Sequence, residues 1–494
     1  MSSETKDLLE FRKQLVELMK ANAPTAQKDQ VARVNDAMAD LDGRNPEEAF
    51  RHSVAAGRDE FPSGERTTQA GSIEREGEFL PAVPESLSEL GIRSADIKAI
   101  VLKFLFNSGA RSGLEIAKQI RLPLPLFAPL LRNLKEDQLV IYKSAIGAAD
   151  YIYELTESGS ERAHRFWKQC AYLDSIPVPF DDYVASVSVQ SARKQNPKVR
   201  DLKAALEDLS IKEEMIVQLA QAANSGLGLF LYGAPGNGKT SIARRITAAF
   251  GQSVWIPRTI NIAGSIVRLY DPNNHEALPL NTESTGYSGR IDERWVRIRR
   301  PTIVVGGELT MDNLEIHVNQ VTAVSEAPIQ MKSNCGTLVI DDFGRQRVSP
   351  TELLNRWIVP LERHYDILNL ANGSRVDVPF DQLLVFSTNL EPRELVDEAF
   401  LRRIPYKIDV KNPSEDELRG LVEKLSSDLG IEYREGPVDY LIEKYYAGPK
   451  REMRYCHPRD ILHQVRTYCT VLDLPKKITN AAIDAAANNY FDLL

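Results

Sequence analysis

The chain has 494 residues, 43% of them hydrophobic, and a formal net charge of −8. That length suits about three domains with sizeable cores, and the acidic balance excludes whole-molecule affinity for nucleic acid or anionic lipid, leaving only a local patch for such a role. Cys170, Cys335, Cys456 and Cys469 form no CxxC pair and no His/Cys ligand spacing, which reads as free thiols in a reducing cytosol.

At the start of the chain, Leu8, Phe11, Leu15 and Leu18, then Val31, Val34, Met38 and Leu41, fall at helical spacing. They predict two amphipathic helices within residues 1–41. Glu4, Lys6, Asp7 and Glu10 stand where a signal peptide needs an apolar core, and no segment is long and apolar enough to span a bilayer. The expected location is therefore cytoplasmic. Residues 42–84 are polar and rich in Gly, Glu, Arg and Ser, as in a flexible linker.

Residues 85–172 read as three helices, two strands and a closing helix. Ile97, Ile100, Val101, Phe104 and Leu105 give one apolar face; Gly113 to Ile120 and Leu124 to Asp137, with a turn at 121–123, read as a helix-turn-helix. Leu139 to Lys143 and Tyr151 to Leu155 then pair about Gly147 as a wing. This resembles a winged-helix domain. Its second helix offers only Arg132 and Lys135 against Glu136 and Asp137, too little charge for a phosphate-tracking surface, so docking of a protein is favoured over DNA reading. Residues 173–200, with Pro177 and Pro179, read as a second linker.

The stretch GAPGNGKT fills every fixed position of a P-loop: Gly233, Ala234, Pro235, Gly236, Asn237, Gly238, Lys239 and Thr240, with Ser241 completing the binding set. An apolar run, Leu227 to Tyr232, precedes it as a strand, and SIARRITAAF follows as a helix. Glycines let backbone N–H groups turn inward around phosphates, and the helix N-terminus adds its positive dipole end. Lys239 reaches the β/γ-phosphates, and Thr240 holds Mg²⁺. Ser253 to Ile260 is expected as the second strand. Residues 271–335 exceed a simple crossover and are expected to hold a turn at Gly306 to Glu308 and a strand through Leu314, Ile316 and Val318.

GTLVIDD, Gly336 to Asp342, ends an apolar strand in two acids, the Walker B arrangement. Asp341 is placed on the metal and Asp342 on the attacking water. Aspartate is one methylene shorter than the usual glutamate, which leaves slow turnover open. The following DFG string is not a kinase signature, because neither a kinase Gly-rich loop nor an HRD loop precedes it. Thr351 to Tyr365 reads as a helix, Ile367 to Val378 as a hairpin turning at Asn372 and Gly373, and LLVFSTN as a strand whose tip carries Asn389. Arg402 and Arg403 end a helix before a further strand, and Arg459 opens a helix in CHPRDILHQV.

In this order these elements resemble the AAA+ ATPases. The resemblance implies an α/β fold: a P-loop AAA+ core (parallel sheet flanked by helices) over 201–410, a helical lid domain over 411–494 and the winged-helix-like domain before them. It further implies ATP as the nucleotide, a sensor role for Asn389, a lid arginine in Arg459, and an arginine finger in Arg403, or alternatively Arg402, acting on a neighbouring copy in a ring. GELT at Glu308, IDDFGRQRVSPTELLNRWIVPLE, VPFDQLLVFSTNLEP, DEAFLRRIPYKI and CHPRD are similar to bacterial proteins described as predicted ATPases with chaperone activity associated with Flp pilus assembly. That narrower resemblance implies a protein client in pilus or secretion machinery. Two alternatives stay open: a DNA-associated ATPase using the winged helix, and a nucleotide-gated scaffold with slow turnover.

Overall fold

An apolar strand in a parallel sheet must be covered on both faces, and four of the five runs that form the central sheet are apolar at nearly every position, the edge strand Tyr406–Asp409 being the exception. The computed structural model describes residues 73–75, 78–146, 150–279 and 291–491, all within one compact unit, Thr68–Leu494. The two helices expected in residues 1–41, most of the linker expected over 42–84 and the turn expected at Gly147 lie outside the described residues.

The central strands are β1 (Leu229–Tyr232), β2 (Thr302–Val305), β3 (Thr337–Ile340), β4 (Leu383–Ser387) and β5 (Tyr406–Asp409). They lie in the order β2-β3-β4-β1-β5, every neighbouring pair parallel. Strand β4 is thus inserted between the P-loop strand β1 and the acid-bearing strand β3. The period-two pleat divides the side chains cleanly. Leu229, Leu231, Val339, Leu383 and Val385 pack on one face with Leu219 and Ala223 of helix Glu213–Ser225 and Ile242 after the P-loop. Phe230, Leu338, Ile340, Leu384 and Phe386 pack on the other with Leu353, Leu354 and Trp357 of helix Pro350–Arg363. Ser349 caps that helix by accepting from Glu352 N, Pro350 occupies its first turn, and His364 ends it in the left-handed region at φ 60°.

Two expectations for this region are corrected. The second strand of the sheet is Thr302–Val305, not the run from Ser253. Ser253–Pro257 pairs antiparallel with Trp295–Arg299, and Thr259–Ile262 joins a separate sheet with Val178–Pro179 and Ser265–Arg268. Both runs are equally apolar, so only long-range pairing decides which enters the core. The strand expected through Leu314, Ile316 and Val318 is instead a 3₁₀ turn, Met311–Leu314, and a two-residue strand, His317–Val318. The turn at Gly306 to Glu308 does form, with Gly306 N donating to Glu308 Oε1 at 2.9 Å.

The segment 173–200 is not a free linker. Helix Phe180–Gln190 buries Tyr183 and Val187, and Gln190 Nε2 donates to Trp255 O at 2.9 Å. Arg193 Nε and Ser191 Oγ both donate to Asp381 Oδ1, at 2.9 and 2.7 Å, just before β4. Of the two prolines that suggested a linker, Pro179 ends the two-residue strand Val178–Pro179 and is the N-cap of the helix, and Pro177 O accepts from Arg294 Nη1 at 3.4 Å. Within 42–84, Ile73–Arg75 and Glu78–Leu80 form an antiparallel pair, and Phe79 is buried beside Trp295.

Before the core, helices Ser94–Ser108, Gly113–Ile120 and Leu124–Glu136 pack around Ile97, Ile116, Phe127 and Leu131, followed by strands Val140–Ile146 and Asp150–Leu155 and helix Glu157–Gln169. Asp150 accepts from Gly113 N and Leu114 N at 2.9 and 3.1 Å, which fixes the second helix to the hairpin. After the core, helices Glu415–Leu429, Glu435–Ile442, His457–Val471 and Asn480–Phe491 enclose Val422, Val438, Ile461, Val465 and Ile483. No helix among the described residues is long and apolar enough to cross a membrane.

Candidate functional site

The parallel strands all end on one side, and their tips surround a cavity of about 1040 Å³. Its wall includes the P-loop from Pro235 to Ile242, Asp341 and Asp342 beyond β3, Ser387 and Asn389 at the end of β4, and Arg459. A strand order that sets β4 between β1 and β3 is what brings these distant segments together.

The P-loop takes the conformation that its glycines permit. Gly233, Gly236 and Gly238 have φ of 125°, 83° and 83°, a region that side chains disfavour. Gly238 is the N-cap of helix Lys239–Arg245, so the first helical N–H groups face the cavity side of the loop. At Gly236 a methyl group has no room: its Cβ would stand 2.4 Å from Cys456 Sγ.

Lys239 is only 6% exposed. Its Nζ donates to Gly233 O and Ala234 O at 2.9 Å each and to Asn389 Oδ1 at 2.6 Å. All three acceptors are neutral. Burial lowers the lysine's pKa, while Asp342 and Asp341 nearby oppose the shift. A buried ammonium with neutral partners suits an incoming anion that would replace them. Beside it, Thr240 Oγ1 lies 2.9 Å from both carboxylate oxygens of Asp341. A hydroxyl and a carboxylate as neighbours are hard oxygen donors of the kind Mg²⁺ takes alongside phosphate oxygens. The cradle and this donor set therefore fit a nucleotide phosphate chain with its metal.

Asp342 is exposed, in the left-handed region at φ 49°, and accepts from Asn389 Nδ2 at 3.4 Å. Asn389 thus touches both Lys239 and Asp342. Ser387 O accepts from Phe343 N at 2.7 Å and Thr388 Oγ1 donates to Phe343 O at 3.0 Å, so the tip of β4 and the turn after β3 are tied together. Arg459 lines the same cavity from the C-terminal helices, its side chain 63% exposed and its Nε 3.4 Å from Asp460 Oδ1.

Arg402 and Arg403 are not on the cavity wall. Helix Glu398–Arg403 precedes β5, at the end of the sheet away from the strand tips; Arg402 is exposed, and Arg403 Nε lies 2.7 Å from Glu362 Oε1. Ala234 and Gly233 contribute carbonyls to Lys239, and Ser241 lies on the wall.

Several site contacts have no sequence signal. Asn237 is buried, with Nδ2 donating to Val410 O at 3.1 Å and to Asn412 Oδ1 at 2.8 Å, which ties the P-loop to the segment after β5. Cys456 N donates to Gly236 O at 3.0 Å, so the C-terminal helices touch the P-loop through the backbone. His457, next in sequence, is buried with Nδ1 3.0 Å from Tyr446 OH, a packing role. Gln346 Nε2 donates to Asp341 O and Asp342 O at 2.8 and 3.1 Å, bracing the acidic turn. Only its closeness in sequence to the acids hinted at this.

Residues 414–489 match a domain of unknown function (DUF8689), which takes in the C-terminal helices and Arg459. No curated protein matches the chain in sequence. Among solved structures, NtrX from Brucella abortus is similar over 58% of this chain and 58% of its own, with 14% identity and a TM-score of 0.37. The Thermotoga maritima RuvB Holliday junction branch migration motor is similar over 57% of this chain and 71% of its own, with 13% identity and a TM-score of 0.34. At such scores the overlap is loose, and the site rests on its own geometry.

Proposed function

We propose that the chain is an ATPase of AAA+ type that couples nucleotide turnover to remodelling or assembly of a protein partner. The observation that carries this reading is Lys239, buried in a left-handed glycine cradle among neutral oxygens, with Asp341, Asp342 and Asn389 converging beside it. Lys239 and the P-loop amides bind the phosphates. Thr240 and Asp341 would hold Mg²⁺, which when bound neutralises charge on the phosphate oxygens. Asp342 accepts a hydrogen bond from the attacking water, and Asn389, bonded to both Lys239 and Asp342, orients it. Arg459 reports the nucleotide to the C-terminal helices, which act as a lid. Arg403, or Arg402, serves the site of a neighbouring copy, because neither reaches the cavity of its own chain.

The N-terminal helices and hairpin, read as a winged-helix-like domain, take the partner. Pro125 and Pro129 are exposed on helix Leu124–Glu136, and Leu114 and Ile146 are 61% and 45% exposed. Such a surface suits a protein better than a phosphate backbone. The family resemblance points to a client in pilus or secretion machinery. Equilibrium binding of ATP with Mg²⁺ tests the core of this reading: micromolar affinity lost in Lys239→Ala supports it, and equal affinity in both proteins removes it.

A further inference from the structure

The turn after β3 is pinned at almost every residue. Asp341 N donates to Val305 O at 2.8 Å, Phe343 N to Ser387 O at 2.7 Å, and Arg345 N to Asp342 O at 3.0 Å. Gly344, at φ 103°, donates to Gln346 Oε1 at 2.8 Å while Gln346 Nε2 returns to the two acidic carbonyls. Arg347 N donates to Gly307 O at 3.2 Å, tying the exit of the turn to the loop after β2. A methyl at Gly344 would stand 2.8 Å from Leu395 Cδ2, so the turn is closed on its far side.

From this rigid frame Arg345 projects an exposed side chain on the cavity wall it shares with Asp342 and Asn389. Among the described residues its guanidinium makes no ion pair and no side-chain hydrogen bond. Of the other cations there, Lys239 bonds three oxygens, Arg459 lies beside Asp460, Lys212 beside Glu417 and Lys407 on Leu401 O, while Lys411, beyond β5 and away from the acidic turn in sequence, likewise makes no ion pair among the described residues. The apolar part of the wall, Ile211, Met215 and Leu421, comes from other segments, so Arg345 belongs to the charged part. An arginine whose backbone is fixed at the cavity wall and whose guanidinium has no carboxylate partner keeps its planar fork available for bidentate contact with an anion.

We propose that Arg345 contacts the terminal phosphate of the bound nucleotide within its own chain and so distinguishes the triphosphate from the diphosphate. The inference rests on the phosphate-binding reading of the P-loop. Equilibrium binding of ADP and of a non-hydrolysable ATP analogue, with Mg²⁺, to the full chain and to Arg345→Ala and Arg345→Lys tests it. Arg345→Ala should lose roughly 10- to 100-fold in affinity for the analogue and stay within about threefold for ADP, with Arg345→Lys between. Equal losses for both nucleotides, no loss for either, or a change confined to self-association would overturn the assignment of Arg345. Wild-type protein that binds neither nucleotide would instead remove the P-loop reading beneath it.

Discussion

Lys239 Nζ stands 2.6 Å from Asn389 Oδ1, joining the first turn of the P-loop helix to the tip of β4. The same asparagine reaches Asp342 at 3.4 Å, so one neutral amide sits between the P-loop lysine and the acid to which we assign the water. Truncating it in Asn389→Ala should slow phosphate release by about one to two orders of magnitude and change nucleotide affinity by less than about threefold. Rate and affinity falling together would show that Asn389 only supports binding.

The contact between Gly236 and Cys456 gives a steric prediction. Gly236→Ala places a methyl against Cys456 Sγ and forces alanine to φ 83°, and together these should cost roughly 2–4 kcal/mol of apparent stability. Cys456→Ala alone should cost little. In the double variant the clash is relieved and only the backbone penalty, about 1–2 kcal/mol, remains. Additive losses in chemical denaturation would mean that the two residues do not meet.

Burial pushes the pKa of His457 down to about 4, with Arg454 adding to the shift. The folded value lies below the unfolded value of about 6.5, so protons bind preferentially to the unfolded chain as pH falls. Stability contributed by the neutral imidazole is complete above about pH 6.5 and is lost as the pH drops toward 4. Between pH 7 and pH 5 the loss should approach roughly 2 kcal/mol, and His457→Gln should flatten that part of the profile. Parallel profiles for the two proteins in thermal melts would contradict the assignment.

Arg403 lies outside the cavity of its own chain, so its proposed action requires a second copy. Lys239→Ala and Arg403→Ala should each be nearly inactive alone, and mixing them should restore part of the phosphate release, because one supplies the arginine and the other an intact cradle. A mixture no more active than the sum of its parts would place the function of Arg403 in its contact with Glu362.

How much of this was legible in the sequence depended on how local each signal was. Gly233, Lys239 and Thr240 sit within one turn-and-helix pattern, and the acids of Asp341 and Asp342 end an unbroken apolar run. Such patterns encode their own geometry. The choice of Thr302–Val305 over Ser253–Pro257 as β2 was not legible, since both are short apolar runs and only pairing with Thr337–Ile340 separates them. The packing of Phe180–Gln190 was hidden by the prolines just before it, Pro177 and Pro179. Asn237, Gln346 and Cys456 act through contacts that no spacing rule reports, such as Cys456 N on Gly236 O.

The most direct test is the rate of phosphate release from ATP with Mg²⁺ by the wild-type chain, Lys239→Ala and Asp342→Asn, at a protein concentration high enough for self-association. The expected result is turnover by the wild type, loss of both binding and turnover in Lys239→Ala, and retained binding with turnover reduced about a hundredfold or more in Asp342→Asn. Equal rates in all three proteins would contradict hydrolysis at this site.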